Sequence, residues 1–539
     1  MFYRIALIDS IAPVPGCQGW ECYEALKLAG HAVEVVDPKL HPGLVDEAGS
    51  LDEAQLARFR EVFAPDYVAW KGESAEEILG SLSARGVLGS ASRARHFVVF
   101  GYVGPGNFGD ELIFDTLCRQ VRRRYPGAYV SLIGHRPPAS LARHGVASTT
   151  PDVKVDVDRM LNGADALVFM AGIMFDEPFL DTAGRIDLFL NPHSEIAGQT
   201  ATTLAAYLNG VPAVYLGIGA GPLAHPDSQA LVRLASLTEP LYVPRDQETC
   251  ALLRAAGVEE RLIHGKADLA FLVEPPGACG SMAAALEANG VAEGAYAVVA
   301  LRRCSGQPEG MAEAVARGLD ALVETKGLRP VLVDFAPEDR EIHQEVRSLM
   351  VHGEQAVSFD RLLDQQEVLW LLSHGRVALA MRLHCSILAN SFGVPSVGLD
   401  YNDKVRAYYA QMGRPHALLG LGVGGDEVTR ALEAALAEGV AGQELAAATA
   451  RNRRHAAEAM GLLWEVVEGR EAHPSPQYVY PRADSLAALR LADAENQLAA
   501  TLADLDEARC ELSALRRSTA WRVGRVLTWP LRKLKDVLR

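Results

Sequence analysis

Cysteine is sparse and scattered in this 539-residue chain. None of Cys17, Cys22, Cys118, Cys250, Cys279, Cys304, Cys385 and Cys510 forms a C-x-x-C pair or a His-linked cluster with zinc spacing. That pattern excludes a disulfide scaffold and a zinc module, and predicts reduced thiols. Positive charge is also short, with 52 Lys and Arg against 68 Asp and Glu for a net −16. A nucleic-acid binder needs a basic face, so no nucleic-acid partner is expected. Long apolar runs are missing as well; residues 166–175 come nearest and are too short to span a bilayer. The first ten residues, MFYRIALIDS, lack the basic region and the length of a signal peptide, which predicts a cytoplasmic location. Neither G-x-G-x-x-G nor a P-loop occurs, and no metal-ligand cluster is visible, so neither a cofactor nor a metal is expected.

What is present is an ordinary globular composition, 49% apolar, in a chain too long for one core. The stretch that organises it is residues 376–406, RVALAMRLHCSILANSFGVPSVGLDYNDKVR. Residues 377–381 have the length and apolarity of a buried strand. Arg382 and His384 follow at once, then one or two helical turns that Gly393 and Pro395 stop, then a second strand at 396–399. An arginine and a histidine therefore sit where a strand hands over to a helix start. Free N–H groups and the helix dipole make such a place an anion site. The plainer alternative is that both residues cap and solvate a loop.

Around this stretch, short apolar runs alternate with helical patterns, which predicts parallel, helix-covered sheets. Residues 1–92 read as an accessory α/β segment, and residues 86–94 as a Gly/Ser/Arg-rich linker. Residues 93–285 read as a first Rossmann-like domain and 286–470 as a second. In the first, the strand at 97–100 runs into Gly101-Tyr102-Val103-Gly104-Pro105-Gly106-Asn107-Phe108-Gly109-Asp110-Glu111, a turn able to approach a phosphate or sugar closely. Similar turns follow the strands at 166–170 (Ala171 to Asp176) and 213–216 (Gly217 to Pro222). Residues 241–243 end at Arg245-Asp246, and 263–268 read as a short strand ending at Asp268. In the second domain the strand at 296–301 ends at Arg302. Right-handed crossovers put Arg302, Arg382 and His384 on one sheet edge, facing the first domain's turns.

These residues together resemble the polysaccharide pyruvyl transferase family. The carriers are Gly101 to Glu111, Gly217 to Pro222, Arg245-Asp246, Asp268 to Phe271, Arg302, and MRLHCSILANSFGVPSVGLDY-x-x-K, spread over about residues 97–410. The resemblance implies two Rossmann-like domains facing each other, as in the glycosyltransferase B architecture. It also implies transfer of the enolpyruvyl part of phosphoenolpyruvate to a sugar of a cell-surface polysaccharide or its lipid-linked precursor. Residues matching Arg245, Arg382 and His384 are associated with phosphoenolpyruvate in the family. Leu383 lies between two of them, and Asn107, Gly109 and Glu111 belong to the matching glycine turn; all four are expected to bind substrate. Two departures stand out: the usual glycine triplet reads Ala171-Gly172-Ile173, and Leu269 replaces the proline expected after Asp268.

Phosphoenolpyruvate carries a phosphate and a carboxylate, and arginine's planar fork suits both. Arg382, Arg245 and, third, Arg302 are the expected anion clamp. Ketal formation needs a proton at the methylene carbon while a sugar hydroxyl attacks the adjacent one. A histidine titrates in the right range to deliver it, so His384 is the expected acid. Asp110, Glu111 and Asp176 are candidates for the base, although each also suits a helix cap or loop brace. Two other readings compete: a nucleotide-sugar glycosyltransferase of the same architecture, and a non-catalytic scaffold in polysaccharide biosynthesis.

Residues 471–483 read as a Pro-rich linker. Leu491, Leu498, Leu505 and Leu512 recur every seven residues, predicting a coiled coil over 484–515 that would pair copies of the chain. Residues 516–539 carry eight Arg or Lys against Asp536, 8 − 1 = +7, with Trp521 and Trp529 among the apolar positions. Such a basic amphipathic tail suits an anionic membrane surface and predicts peripheral attachment at the inner face of the cytoplasmic membrane.

Overall fold

In the computed structural model, the residues described are 1–9, 17–41, 53–91, 93–151, 153–172, 195–438 and 442–469. Asp176, the linker, the coiled-coil segment and the basic tail read from the sequence all lie outside them. The chain divides into two compact units, residues 1–10 with 22–476, and residues 11–21 with 477–539. The account below concerns the first.

The chain opens with β1 (Arg4–Ile8), α1 (Gln18–Leu28), β2 (Ala32–Val36), α2 (Glu53–Phe63), β3 (Tyr67–Trp70) and α3 (Ala75–Ala84). The strands form one parallel sheet in the order β2-β1-β3. α3 starts at a capping box, with Ser74 and Glu77 each satisfying the other's orphan N–H.

The first lobe follows with β4 (His96–Phe100), α4 (Phe108–Arg124), β5 (Tyr129–Ile133), α5 (Pro137–His144), β6 (Ser148–Thr149), α6 (Lys154–Leu161) and β7 (Ala166–Gly172). It continues with α7 (Glu195–Leu208), β8 (Ala213–Gly219), α8 (Pro226–Ser236), β9 (Leu241–Pro244) and α9 (Gln247–Ala255). The strand order is β6-β5-β4-β7-β8-β9, every pairing parallel. Alternation along β4 shows why: Val98 and Phe100 enter one core while Phe97 and Val99 enter the other. A sheet covered on both faces needs apolar residues at successive positions. Each such fully buried side chain contributes about 1.5–3 kcal/mol.

After α10 (Gly280–Ala288) the second lobe repeats the plan. It comprises β10 (Tyr296–Ala300), α11 (Met311–Lys326), β11 (Arg329–Leu332), α12 (Asp339–Leu349), β12 (Val357–Ser358) and α13 (Gln365–His374). Then come β13 (Val377–Ala380), α14 (Leu383–Ser391), β14 (Ser396–Asp400), α15 (Asp403–Gln411), β15 (Leu418–Gly420), α16 (Gly425–Glu438) and α17 (Gln443–Glu468). Its order, β12-β11-β10-β13-β14-β15, is again that of a doubly wound sheet.

The lobes meet through one shared core. Phe108 and Leu112 of α4 and Ala270 and Phe271 join Phe335, Ile387 and Leu445 in a single cluster. α17 spans the seam, with Leu445 and Ala448 in the second lobe's core and Met460 and Leu463 in the first's.

Residues 263–268, expected as a strand, make only one isolated bridge, Ile263 to Tyr242. Asp268 ends the extended run by capping the short 3-10 turn Leu269–Leu272, where its side chain accepts from the Ala270 N–H. Among the described residues no helix is long and apolar enough to cross a membrane.

A candidate active site at the junction of two helix starts

In each lobe the strand order reverses between two neighbours, β4 and β7 in the first, β10 and β13 in the second. Ligands of open α/β sheets bind outside the strand ends at these switch points. The glycine turn follows β4. Arg302 follows β10, and Arg382 to His384 follow β13.

α4 and α14 bring the switch points together. The Phe108 N–H donates to the Phe335 carbonyl at 2.8 Å, and the two rings meet edge-on at 4.8 Å. One residue on, Gly109 faces His384 so closely that an added Cβ would stand 1.8 Å from Nδ1. Here the missing side chain is the point, because only glycine admits the imidazole. Asn107 caps α4 by accepting from the Gly109 N–H at 3.3 Å. Its role in the structure is therefore to fix this helix start.

His384 Nε2 lies 3.6 Å from Asp268 Oδ2, within ion-pair range but beyond hydrogen-bond reach, and is a buried atom with no hydrogen-bond partner among the described residues. A buried ring nitrogen without a hydrogen bond has a cost and calls for an explanation, a catalytic role being one. Asp268 is buried; burial pulls its carboxyl up, but His384 and Arg245 outweigh that and hold it at about 2. Arg245 Nη1 donates to Asp268 Oδ2 at 3.0 Å, and its guanidinium lies against Gly219, the last residue of β8.

Asp110 is buried and forms no hydrogen bond or ion pair among the described residues. Burial pushes its carboxyl up, with His384, Lys404 and Arg245 pulling the other way. It combines a raised pKa with a cationic neighbourhood, the combination expected of a proton-transfer group.

Two expected roles change. Arg382 is no open fork: its Nε donates to Asp339 Oδ2 at 2.8 Å, one Nη also bonds Asp339, and that nitrogen reaches Glu338 at 3.1 Å. The guanidinium is 6% exposed and Asp339 is fully buried. Burial opposes the charge, but the bonds to Asp339 raise the Arg382 pKa above its ordinary value. Since the same carboxylate accepts the Phe335 and Ala336 N–H groups, Arg382 ties the strand end to the α12 start. Glu111 is likewise a brace, not a base. Its Oε1 accepts from the Gly104 N–H at 2.9 Å and the Gly106 N–H at 3.0 Å, and its Oε2 is bonded to His144.

Further positive charge comes from Lys404, which acts on both Asp110 and Tyr401, and from Arg302. Arg302 stacks over the Tyr401 ring at 5.3 Å. Burial would raise the Tyr401 phenol, yet Lys404, Arg302 and Arg382 bring it below its usual value. Tyr401 and Lys404 stand at the head of α15, which follows β14, next in the sheet to β13. Their sequence signal was the Y-x-x-K after an apolar strand. Leu383 contributes its backbone: the N–H groups of Leu383 and His384, in the first turn of α14, have no acceptor among the described residues. Among the described residues no group of three or more His, Cys, Asp or Glu is placed to hold a metal ion.

Beyond the switch point of the first lobe, Ala171 has φ +67°, a left-handed conformation that suits glycine. The departure from the family's glycine triplet thus falls on a residue strained by about 1–2 kcal/mol.

Three solved structures are similar to this chain at low identity. Anabaena Alr3699/HepE in complex with UDP has 14% identity and a TM-score of 0.46 over 70% of this chain and 100% of that one. The UDP-GlcNAc 2-epimerase of Neisseria meningitidis bound to UDP-GlcNAc gives 11%, 0.48, 70% and 100%, and a glycosyltransferase from Rickettsia africae 9%, 0.45, 70% and 100%. No curated protein matches the sequence. The sequence profile of the polysaccharide pyruvyl transferases matches residues 107–403, from the cap of α4 to the head of α15 and so over more than half of the chain. The chain belongs to the polysaccharide pyruvyl transferase family.

Proposed function

We propose that this enzyme transfers the pyruvyl group of phosphoenolpyruvate to a saccharide of a cell-surface polysaccharide or its lipid-linked precursor. The observation that carries the reading is His384 Nε2, buried and without a hydrogen bond among the described residues, at the start of a helix whose first two N–H groups have no acceptor among them. A doubly anionic donor suits this place. The Leu383 and His384 amides, the α14 dipole, Arg302 and Lys404 offer donors and positive charge to its phosphate and carboxylate. Arg245 takes a share, shielded by Asp268.

In the chemistry proposed, protonated His384 gives its proton to the methylene carbon, C3. One acceptor hydroxyl attacks C2 and its proton passes to Asp110, whose raised pKa suits that step. The C2–oxygen bond to phosphate then breaks, inorganic phosphate leaving with the electron pair and taking the proton held by Asp110, while a second hydroxyl bonds to C2 and gives its proton back to His384. On the same reading, residues 516–539 hold the enzyme at an anionic membrane surface beside lipid-linked acceptors.

The test is phosphorus NMR of phosphoenolpyruvate incubated with the protein and extracted lipid-linked saccharides, with mass spectrometry of the saccharide. Phosphate release with a 70-dalton mass gain, the size of a pyruvate ketal (C₃H₂O₂, about 70 by composition), is expected. Release of a nucleoside diphosphate from a nucleotide sugar, with phosphoenolpyruvate untouched, would favour glycosyl transfer instead.

A further inference from the structure

We propose that the N-terminal three-stranded unit braces the glycine turn of the site from behind, acting through His144 as a positioning residue. This rests on the reading above only for what the turn does; the brace itself is a matter of geometry. Residues 1–92 precede the family match at 107–403, and those of them that are described supply none of the site groups named above.

The connection starts at the turn. Gly104 at φ +112° and Gly106 at φ +91° are held by Glu111, whose Oε1 accepts both amides. The other carboxylate oxygen is bonded to His144 Nε2, while His144 Nδ1 lies 2.8 Å from Asp115 Oδ1. The His144 side chain is 1% exposed, so both ring nitrogens are committed to carboxylates of α4, and Arg143 adds a cation 3.5 Å from Glu111. His144 is the last residue of α5. The placement of α5 thereby sets where Glu111 holds the turn.

α5 has eight residues, starts at Arg136 in a left-handed conformation and has no side-chain cap. A helix that short does not hold itself, so its place depends on what packs against it. That neighbour is α2 of the N-terminal unit. Phe59 and Phe63 share a core with Leu141 and Tyr129. Behind His144, the Arg58 carbonyl presses so close to Gly145 that an added Cβ would stand 2.4 Å from it. Contact therefore runs from α2 to α5, through His144 to Glu111, and on to the amides of Gly104 and Gly106 beside Asn107 and Asp110.

Hydrogen exchange read by mass spectrometry on the full chain tests this without needing turnover. His144→Ala, and separately Phe59→Ala, should speed exchange of peptides over residues 101–109 at least tenfold, while peptides over β10 and β13 keep the wild-type rate. Gly145→Ala, which forces α2 away from α5, should do the same with His144 intact. Where acceptor turnover is measurable, kcat should fall in all three and the KM for phosphoenolpyruvate should hold, with His144→Gln recovering part of the loss. Unchanged exchange over 101–109 in Gly145→Ala overturns the brace, as does a uniform rise across both lobes, which is plain destabilisation. If Phe59→Ala does not fold, Glu111→Gln serves in its place. The wild-type enzyme failing to use phosphoenolpyruvate would sink the functional reading and leave the exchange result standing.

Discussion

Gly109 and His384 belong to different lobes, yet a Cβ on the first would stand 1.8 Å from Nδ1 of the second. The site is therefore closed by a contact in which one partner has no side chain. Gly109→Ala must move the imidazole or the helix start, since alanine itself suits α4. We expect kcat to fall about a hundredfold, in line with a displacement near 1 Å, with little change in melting temperature. His384→Ala should cost about 10²–10⁴ in kcat, and the double variant should be no worse than His384→Ala alone. Additive losses in the double variant would show that Gly109 acts elsewhere.

Arg382→Ala is expected to fail for a different reason. It strands Asp339, a fully buried carboxylate, and breaking a buried pair in this way costs about 3–5 kcal/mol. Urea unfolding should register that loss. Arg382→Met with Asp339→Leu should recover most of it, and a double variant as unstable as the single one would contradict the pairing.

Asp268 links the site to acid stability. Its folded pKa of about 2 lies below the ordinary carboxylate value, so its contribution is full above about pH 4 and fades as pH falls toward 2. Asp268→Asn should lower stability by about 2 kcal/mol at pH 7, with the gap to wild type closing in that acid window. A gap that stays constant from pH 7 to pH 2.5 would rule the linkage out.

Ala171→Gly, which relieves a left-handed alanine, should be neutral to about 1 kcal/mol stabilising, the relief being partly offset by glycine's larger unfolded-state entropy. A clear loss of stability on thermal unfolding would mean that the Ala171 methyl packs better than its backbone suffers.

Much of this was legible in the sequence because it is local. An apolar run, Arg382 and His384, then Gly393 and Pro395 stop signals, mark a strand-to-helix corner by neighbouring residues alone. The glycine turn and its acidic helix start read the same way. What could not be read is the fate of charges. Asp339 lies 43 positions from Arg382 and takes the fork that a free arginine would offer a ligand. Glu111 read more readily as a brace than as a base, but what it braces, the two glycine amides with His144 behind, could not be seen until they were placed around it. α5 was missed because two prolines and a left-handed Arg136 hide its start, and residues 263–268 were read as a strand because extended, apolar backbone looks the same whether or not a neighbour pairs with it.

α17 carries a last implication. It is anchored in both cores, by Leu445 at one end and Leu463 at the other, and its 26 residues make a rod about 39 Å long. One continuous rod packed into both cores joins the two halves of the sheet pair through a single element, so loosening either end of it loosens the hold of one half on the other.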